Sequence, residues 1–260
     1  VVFELGTSVL LFFAATAIGF MASILGLGGG VFMVPLLFLG GFVGTQPEAA
    51  GTSIAGVLFT GISASIAYFR REAIDFRVGL LFTPSALAGV LLGRHIVATV
   101  HAAWLTLAFG VFLLYPAATM LLGRTSKDIA SKARERIRGW QHVALVVVLG
   151  FVAGMATKLF GIGGGTVFVP SLVLLLGMDI VSAAAVSLFV MIPTAALSTA
   201  TSWIDGTLRL EFAIPLVLGI VIGAQIGPHV GARIPKKRLR QLFGAILVYA
   251  AVSMILKGLP

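Results

Sequence analysis

The sequence predicts an all-α polytopic membrane protein made of two inverted repeats of about five helical elements each, with glycine-broken or re-entrant helices. Three observations predict this. The 260 residues are 59% hydrophobic and only 10% charged, with a mean hydropathy of +1.11, whereas a soluble domain carries about 25% charged residues. The apolar residues fall in runs of about 20, the length that crosses a bilayer as a helix, and they lack the alternation of a membrane barrel. Finally, the chain repeats itself. At a shift of 135, Gly28, Gly29, Gly30, Val34, Pro35 and Leu37 match Gly163, Gly164, Gly165, Val169, Pro170 and Leu172. At a shift of 134, Ser53, Thr60, Gly89, Gly93, His95, Phe109, Gly110 and Tyr115 match Ser187, Thr194, Gly223, Gly227, His229, Phe243, Gly244 and Tyr249. A nearly constant offset held over so long a stretch marks a duplication.

The first repeat occupies residues 1–122. An apolar helix over 5–25 runs into a glycine cluster, and a short apolar piece over 31–43 follows with Pro35 inside it. That piece is marginal for a full crossing. A polar turn, Gly44 to Glu48, precedes helices over 49–69, 78–98 and 102–122. Residues 123–139 form a basic cytoplasmic linker, expected to fold as a short surface helix. The second repeat, 140–260, has a helix to about 157, Lys158, the second glycine cluster, a short piece over 166–177, and helices near 181–203, 212–231 and 237–257. No basic leader precedes the first apolar run, so nothing there reads as a cleaved signal.

Charge orients the repeats. The net charge is +9, yet eleven of the eighteen Lys and Arg lie in two loops: Arg124, Lys127, Lys132, Arg134, Arg136 and Arg138, then Arg233, Lys236, Lys237, Arg238 and Arg240. Such clustering marks cytoplasmic loops rather than a nucleic-acid surface. Counting back from each loop places 44–48 outside and 177–181 inside, so the repeats are expected to be inverted and 140–177 to leave and return to one side.

Candidate chemistry gathers at the glycine clusters. Consecutive glycines are costly in a helix, and a chain in lipid keeps such a break only where protein or a water-filled cavity satisfies the backbone. Glycine-broken segments at matching places in two halves point to a transporter's binding site, although small residues also let helices pack closely. The pieces beginning at Val31 and Thr166 each present a helix start, with free N–H groups and a positive dipole end suited to an anion. The expected site is therefore Gly28, Gly29, Gly30, Val31, Gly163, Gly164, Gly165 and Thr166. Ser53 and Ser187, with Thr60 and Thr194, either add hydroxyls or bond back to their own helices. Lys158 is a basic residue inside the membrane region, and all nine acidic residues fall in loops or near helix ends. An anionic substrate is one expected partner for it; snorkelling, or binding the carbonyls of its own helix, is the other reading. His95 and His229 either couple a proton or are solvated helix-end groups. Gly219, Gly223, Gly227 and Gly231 read as a packing stripe, and Arg94 and Trp104 as interface anchors. The chain has no cysteine, and no nucleotide loop, metal-ligand cluster or catalytic triad spacing occurs, so no cofactor and no enzymatic activity are expected.

The paired segments GLGGGVFMVPLL (26–37) and GIGGGTVFVPSL (161–172) resemble the sulfite exporter TauE/SafE family, the TSUP permeases. The resemblance covers nearly the whole chain, including the basic central loop. It implies a multi-pass protein of the bacterial inner membrane that moves sulfite, organosulfonates or related small organic acids. The partners expected are a small anion and the lipid bilayer, with no nucleic acid. Association into a homo-oligomer stays open, as do direction and coupling ion. An anion channel on the same scaffold, or a carboxylate transporter, is the alternative; a membrane enzyme is disfavoured by the lack of embedded carboxylates and cysteines.

Overall fold

The computed structural model describes residues 5–25, 28–69, 75–122, 140–174, 178, 180–230 and 236–259. Among the described residues there are ten helices and no strand: α1 Leu5–Leu25, α2 Gly30–Leu39, α3 Gln46–Phe69, α4 Phe76–Thr99, α5 Ala102–Leu122, α6 Trp140–Phe160, α7 Gly165–Leu174, α8 Ile180–Ile204, α9 Leu210–Val230 and α10 Lys236–Gly258. The linker at 123–139, with the surface helix expected there, lies outside the described residues, as do Gly26, Leu27 and Gly231.

Among the described residues, six helices, α1, α3, α4, α6, α8 and α9, are long and apolar enough to cross a membrane. At about 1.5 Å per residue, the ten-residue α2 and α7 cover roughly half of a ~30 Å hydrocarbon layer. Helix α2 is shorter than the sequence pattern predicts. After α2 the chain turns at Gly40 and Gly41, and Phe42 and Val43 donate back to the Leu37 carbonyl instead of continuing the helix. In the other direction, α3 starts three residues earlier than expected. Thr45 and Glu48 form a reciprocal cap, Glu48 N donating to Thr45 Oγ1 and Thr45 N to Glu48 Oε2, and this draws Gln46 and Pro47 into the first turn. Asp75 caps α4 by accepting from the backbone of Arg77 and Val78.

Packing interleaves the two halves. Helix α1 lies along α9, where Gly219 and Gly223 let the backbone at Phe12 and Thr16 come close and Gly227 faces Phe20 and Ser23. The glycine stripe is thus a helix-packing surface. In the same way α4 lies along α6, with Gly89 and Gly93 against Phe151 and Met155, and Gly150 and Gly154 against Phe82 and Ala86. In both pairs residue numbers rise together, so the partners run parallel. The repeat offset carries α1 to α6 and α4 to α9, so these contacts are equivalent and reciprocal. The other two major pairs join equivalent helices and are antiparallel. In α3–α8, Gly61 meets Leu188 and Ile192, and Gly51 meets Thr207 just past the end of α8. In α5–α10, Gly110 meets Ala251 and Ile255 while Gly258 meets Leu107. Helices α3 and α8 form the centre: 78% and 61% of their membrane windows are buried, against 33–44% for the other four. Outward-facing Leu, Ile, Val and Phe side chains on α1, α4, α6 and α9 are the lipid surface that such a bundle requires.

Candidate functional site

The two glycine segments meet against the middle of α3 and α8. Gly29 and Gly164 are the residues just before α2 and α7, with φ of +83° and +72°, a left-handed backbone that glycine adopts without penalty. Each carbonyl opens its helix: Gly29 O accepts from Phe32 N and Met33 N, and Gly164 O from Val167 N and Phe168 N. The N–H groups of Gly30, Val31, Gly165 and Thr166 are left without intrahelical partners, as at any helix start. The segments touch directly: a Cβ added to Gly30 would lie 2.6 Å from Ile162 Cα and also collide with the Gly161 carbonyl. All the glycines of the predicted site, with Val31 and Thr166, are buried.

Two residues that the sequence reasoning passed over fill the remaining interval. A Cβ on Gly28 would collide with Met191 Cε and lie 3.3 Å from Val57 Cγ1; one on Gly163 would collide with Val57 Cγ1 and lie 2.9 Å from Met191 Cε. Val57 and Met191 are both fully buried, and they are themselves repeat equivalents at the shift of 134. That shift was the signal available for finding them. Being apolar, they drew no attention as site residues.

The predicted hydroxyls divide. Ser53 Oγ reaches the carbonyls of Ala50, at 3.0 Å, and Gly161, at 2.9 Å, and so ties α3 to the second glycine segment. Ser187 Oγ lies 3.8 Å from Met191 Sδ. Thr60 and Thr194 bond back to carbonyls of their own helices. Thr166, in the first turn of α7, is 1% exposed, and its Oγ1 has no hydrogen-bond partner. A buried hydroxyl at a helix start, beside N–H groups of the same turn, is a donor set suited to an oxyanion.

Lys158 has a neighbour that the placement of every acidic residue in a loop or near a helix end does not suggest. It has a carboxylate partner: Nζ lies 3.4 Å from Asp205 Oδ2 and donates to Ser202 Oγ at 2.9 Å. Asp205 follows α8 immediately, and the last turn of α6 brings Lys158 to that same end of the bundle, where the long lysine stem closes the gap. Arg94, expected as an interface anchor, joins the cluster. Its Nη2 donates to Asp205 Oδ1 at 2.7 Å, and its Nε reaches Oδ1 and Oδ2 at 3.0 and 3.2 Å. Burial pushes the Asp205 carboxyl up, but the Arg94 hydrogen bond and the charges of Lys158 and Arg94 outweigh it and hold the group below its ordinary value. A second ion pair, Glu48 with Arg209, joins the halves at this end, and Arg209 N donates to Thr52 Oγ1. Trp104 faces outward, as an anchor should. His95 is exposed, next to Arg94 on α4, and contributes nothing to the glycine centre; the side chain of His229 lies outside the described residues. Among the described residues, no group of His, Asp and Glu could hold a metal ion.

A family model described as sulfite exporter TauE/SafE matches residues 11–254. The chain belongs to that family. Curated relatives extend over the same length. A probable membrane transporter protein of Bacillus subtilis, YunE, is 26% identical over 258 residues, covering 93% of this chain and 94% of its own. One from Xylella fastidiosa is 28% identical, with 92% and 91% covered. Another from Methanocaldococcus jannaschii, MJ0441, is 24% identical, with 95% of each covered. No solved structure matches the chain significantly. As a TauE/SafE protein with six membrane-length helices among the described residues, it is a multi-pass membrane transporter.

Proposed function

We propose that this protein is a secondary transporter of small sulfur-containing anions, sulfite or organosulfonates, working by alternating access about the glycine centre. The meeting of the two glycine segments carries the reading: Gly28 and Gly163 both lie against Val57 and Met191, each two residues before a helix start, at Gly30 and Gly165. Each start contributes N–H groups without intrahelical partners and about half a positive charge, and Thr166 Oγ1 adds a donor. Glycine admits a ligand to the backbone itself. The apolar pair seals the centre in this state, and its withdrawal toward one side at a time would give access. Antiparallel pairing of the equivalent helices α3 with α8, and α5 with α10, supports inverted repeats, because a two-fold relating antiparallel equivalents runs across the helices. The family description, which names sulfite, supports the substrate class.

The test is thermal stabilisation of the purified protein by sulfite, ethanesulfonate and acetate, followed by uptake into proteoliposomes. A ligand at a hundred times its Kd stabilises a folded protein by about 2.7 kcal/mol. The sulfur oxyanions should stabilise more than acetate, and uptake should proceed against a gradient. Stabilisation by acetate alone would make this a carboxylate transporter. Flux that only dissipates a gradient would make it a channel.

A further inference from the structure

We propose that Lys158, Ser202 and Arg94 form a vestibule subsite for a three-oxygen oxyanion, occupied in this state by the protein's own Asp205 carboxylate, which the incoming anion displaces. This rests on the anion-transport reading above and gives it a first binding step.

The side chain of Lys158 is only 3% exposed, while that of Asp205 is 27% and that of Arg94 39% exposed. The carboxylate is therefore open to solvent on one side and in contact with both cations on the other. Asp205 stands in a turn next to Gly206, whose surroundings are open, with nothing within 4 Å of the position a Cβ would take. Its two oxygens already bind as a ligand's would: Oδ1 receives Arg94 Nε and Nη2, and Oδ2 receives Lys158 Nζ. A planar carboxylate has no third oxygen for Ser202, whose hydroxyl accepts from Lys158 and can turn its own proton to another acceptor. A sulfite or sulfonate group has that third oxygen.

Charge makes the exchange feasible. Two cations and one carboxylate leave the cluster at +1, and replacing the carboxylate by a monoanion keeps it there. Removing one partner of a buried ion pair without replacement is strongly unfavourable, because the other charge is left uncompensated. Exchange never passes through that state, since the anion arrives as Asp205 leaves. Asp205 thus acts as a tethered competitor that lowers the apparent affinity of the vestibule and closes it when no anion is present.

The experiment measures ethanesulfonate binding, a permanent monoanion, to the full-length protein in detergent. Asp205→Asn removes the competitor, and the dissociation constant should fall about five- to tenfold. Lys158→Met in the same background should cancel that gain. Ser202→Ala keeps all three charges and should weaken ethanesulfonate binding roughly threefold or more while leaving acetate binding unchanged; this arm decides the matter where Asp205→Asn does not fold. Unchanged or weaker ethanesulfonate binding by a well-folded Asp205→Asn protein, or an unaffected Ser202→Ala protein, would overturn the subsite and leave a structural ion pair, with the transport reading intact. A wild-type protein that binds none of ethanesulfonate, sulfite and acetate would overturn both.

Discussion

Gly30→Ala tests the contact on which the proposed site depends. Gly30 opens α2, and its backbone is not left-handed, so alanine is locally acceptable there and favoured in a helix by about 1 kcal/mol. The obstacle is across the interface. The new methyl carbon would sit 2.6 Å from Ile162 Cα, where ordinary contact is 3.4–4 Å, so the segments must part by about 0.8 Å or more. Its nearest obstacles, Ile162 Cα and the Gly161 carbonyl, are backbone atoms, and no rotamer change relieves it. Overpacking costs about 1–3 kcal/mol, and backbone against backbone belongs at the upper end, leaving a net loss of roughly 2 kcal/mol after the helix preference. Gly6→Ala is the control, since nothing lies within 4 Å of the position its Cβ would take. Unfolding in detergent, followed by far-ultraviolet circular dichroism, should separate the variants, with Gly6→Ala within about 1 kcal/mol of wild type. Gly30→Ala should also lose stabilisation by ethanesulfonate. Equal stability of the two variants would refute the direct packing of the glycine segments.

Sidedness is tested with single cysteines in this cysteine-free chain; Gln46 is fully buried, so Gly44→Cys serves, with Met178→Cys, and the two should label from opposite sides of the membrane. Labelling from one side would exclude inverted repeats. Met191→Ala should destabilise by about 2–5 kcal/mol as a buried truncation, and should raise passive ethanesulfonate leak if the residue closes the centre. The carboxyl of Asp205 is held below its ordinary value, so the stability from its ion pairs is complete above the unfolded pKa of about 3.9 and lost as pH falls through the lower folded value. The stability difference between wild type and Asp205→Asn should therefore be flat from about pH 8 to 5 and shrink in acid; a difference growing in acid would contradict the assignment.

The helices were legible because apolar run length is a strong signal in lipid, and the glycine centre because duplication marked it twice. What escaped notice was chemistry between distant positions. Lys158 and Asp205 are 47 residues apart, and a rule that treats loop acids as solvated hides a pair formed by a long stem at a helix end. Thr45 and Glu48 carry a capping-box spacing inside what reads as a polar turn, so α3 begins earlier than its apolar pattern predicts. Val57 and Met191 obeyed the repeat offset as faithfully as the glycines, but an apolar residue in an apolar helix offers no contrast.

The exchange of partners between halves bears on how the chain is made. Helix α1 is synthesised before its partner: the surface that receives it, the glycine face of α9, leaves the ribosome roughly 200 residues later. Until then α1 stands in the bilayer with its packing face against lipid, and α4 likewise waits for α6. Neither half is a complete folding unit. Cutting the chain in the linker should yield two pieces that assemble when made together and remain incompletely packed when made alone, so biogenesis proceeds by late closure of a pre-inserted set of helices rather than by the folding of one half and then the other.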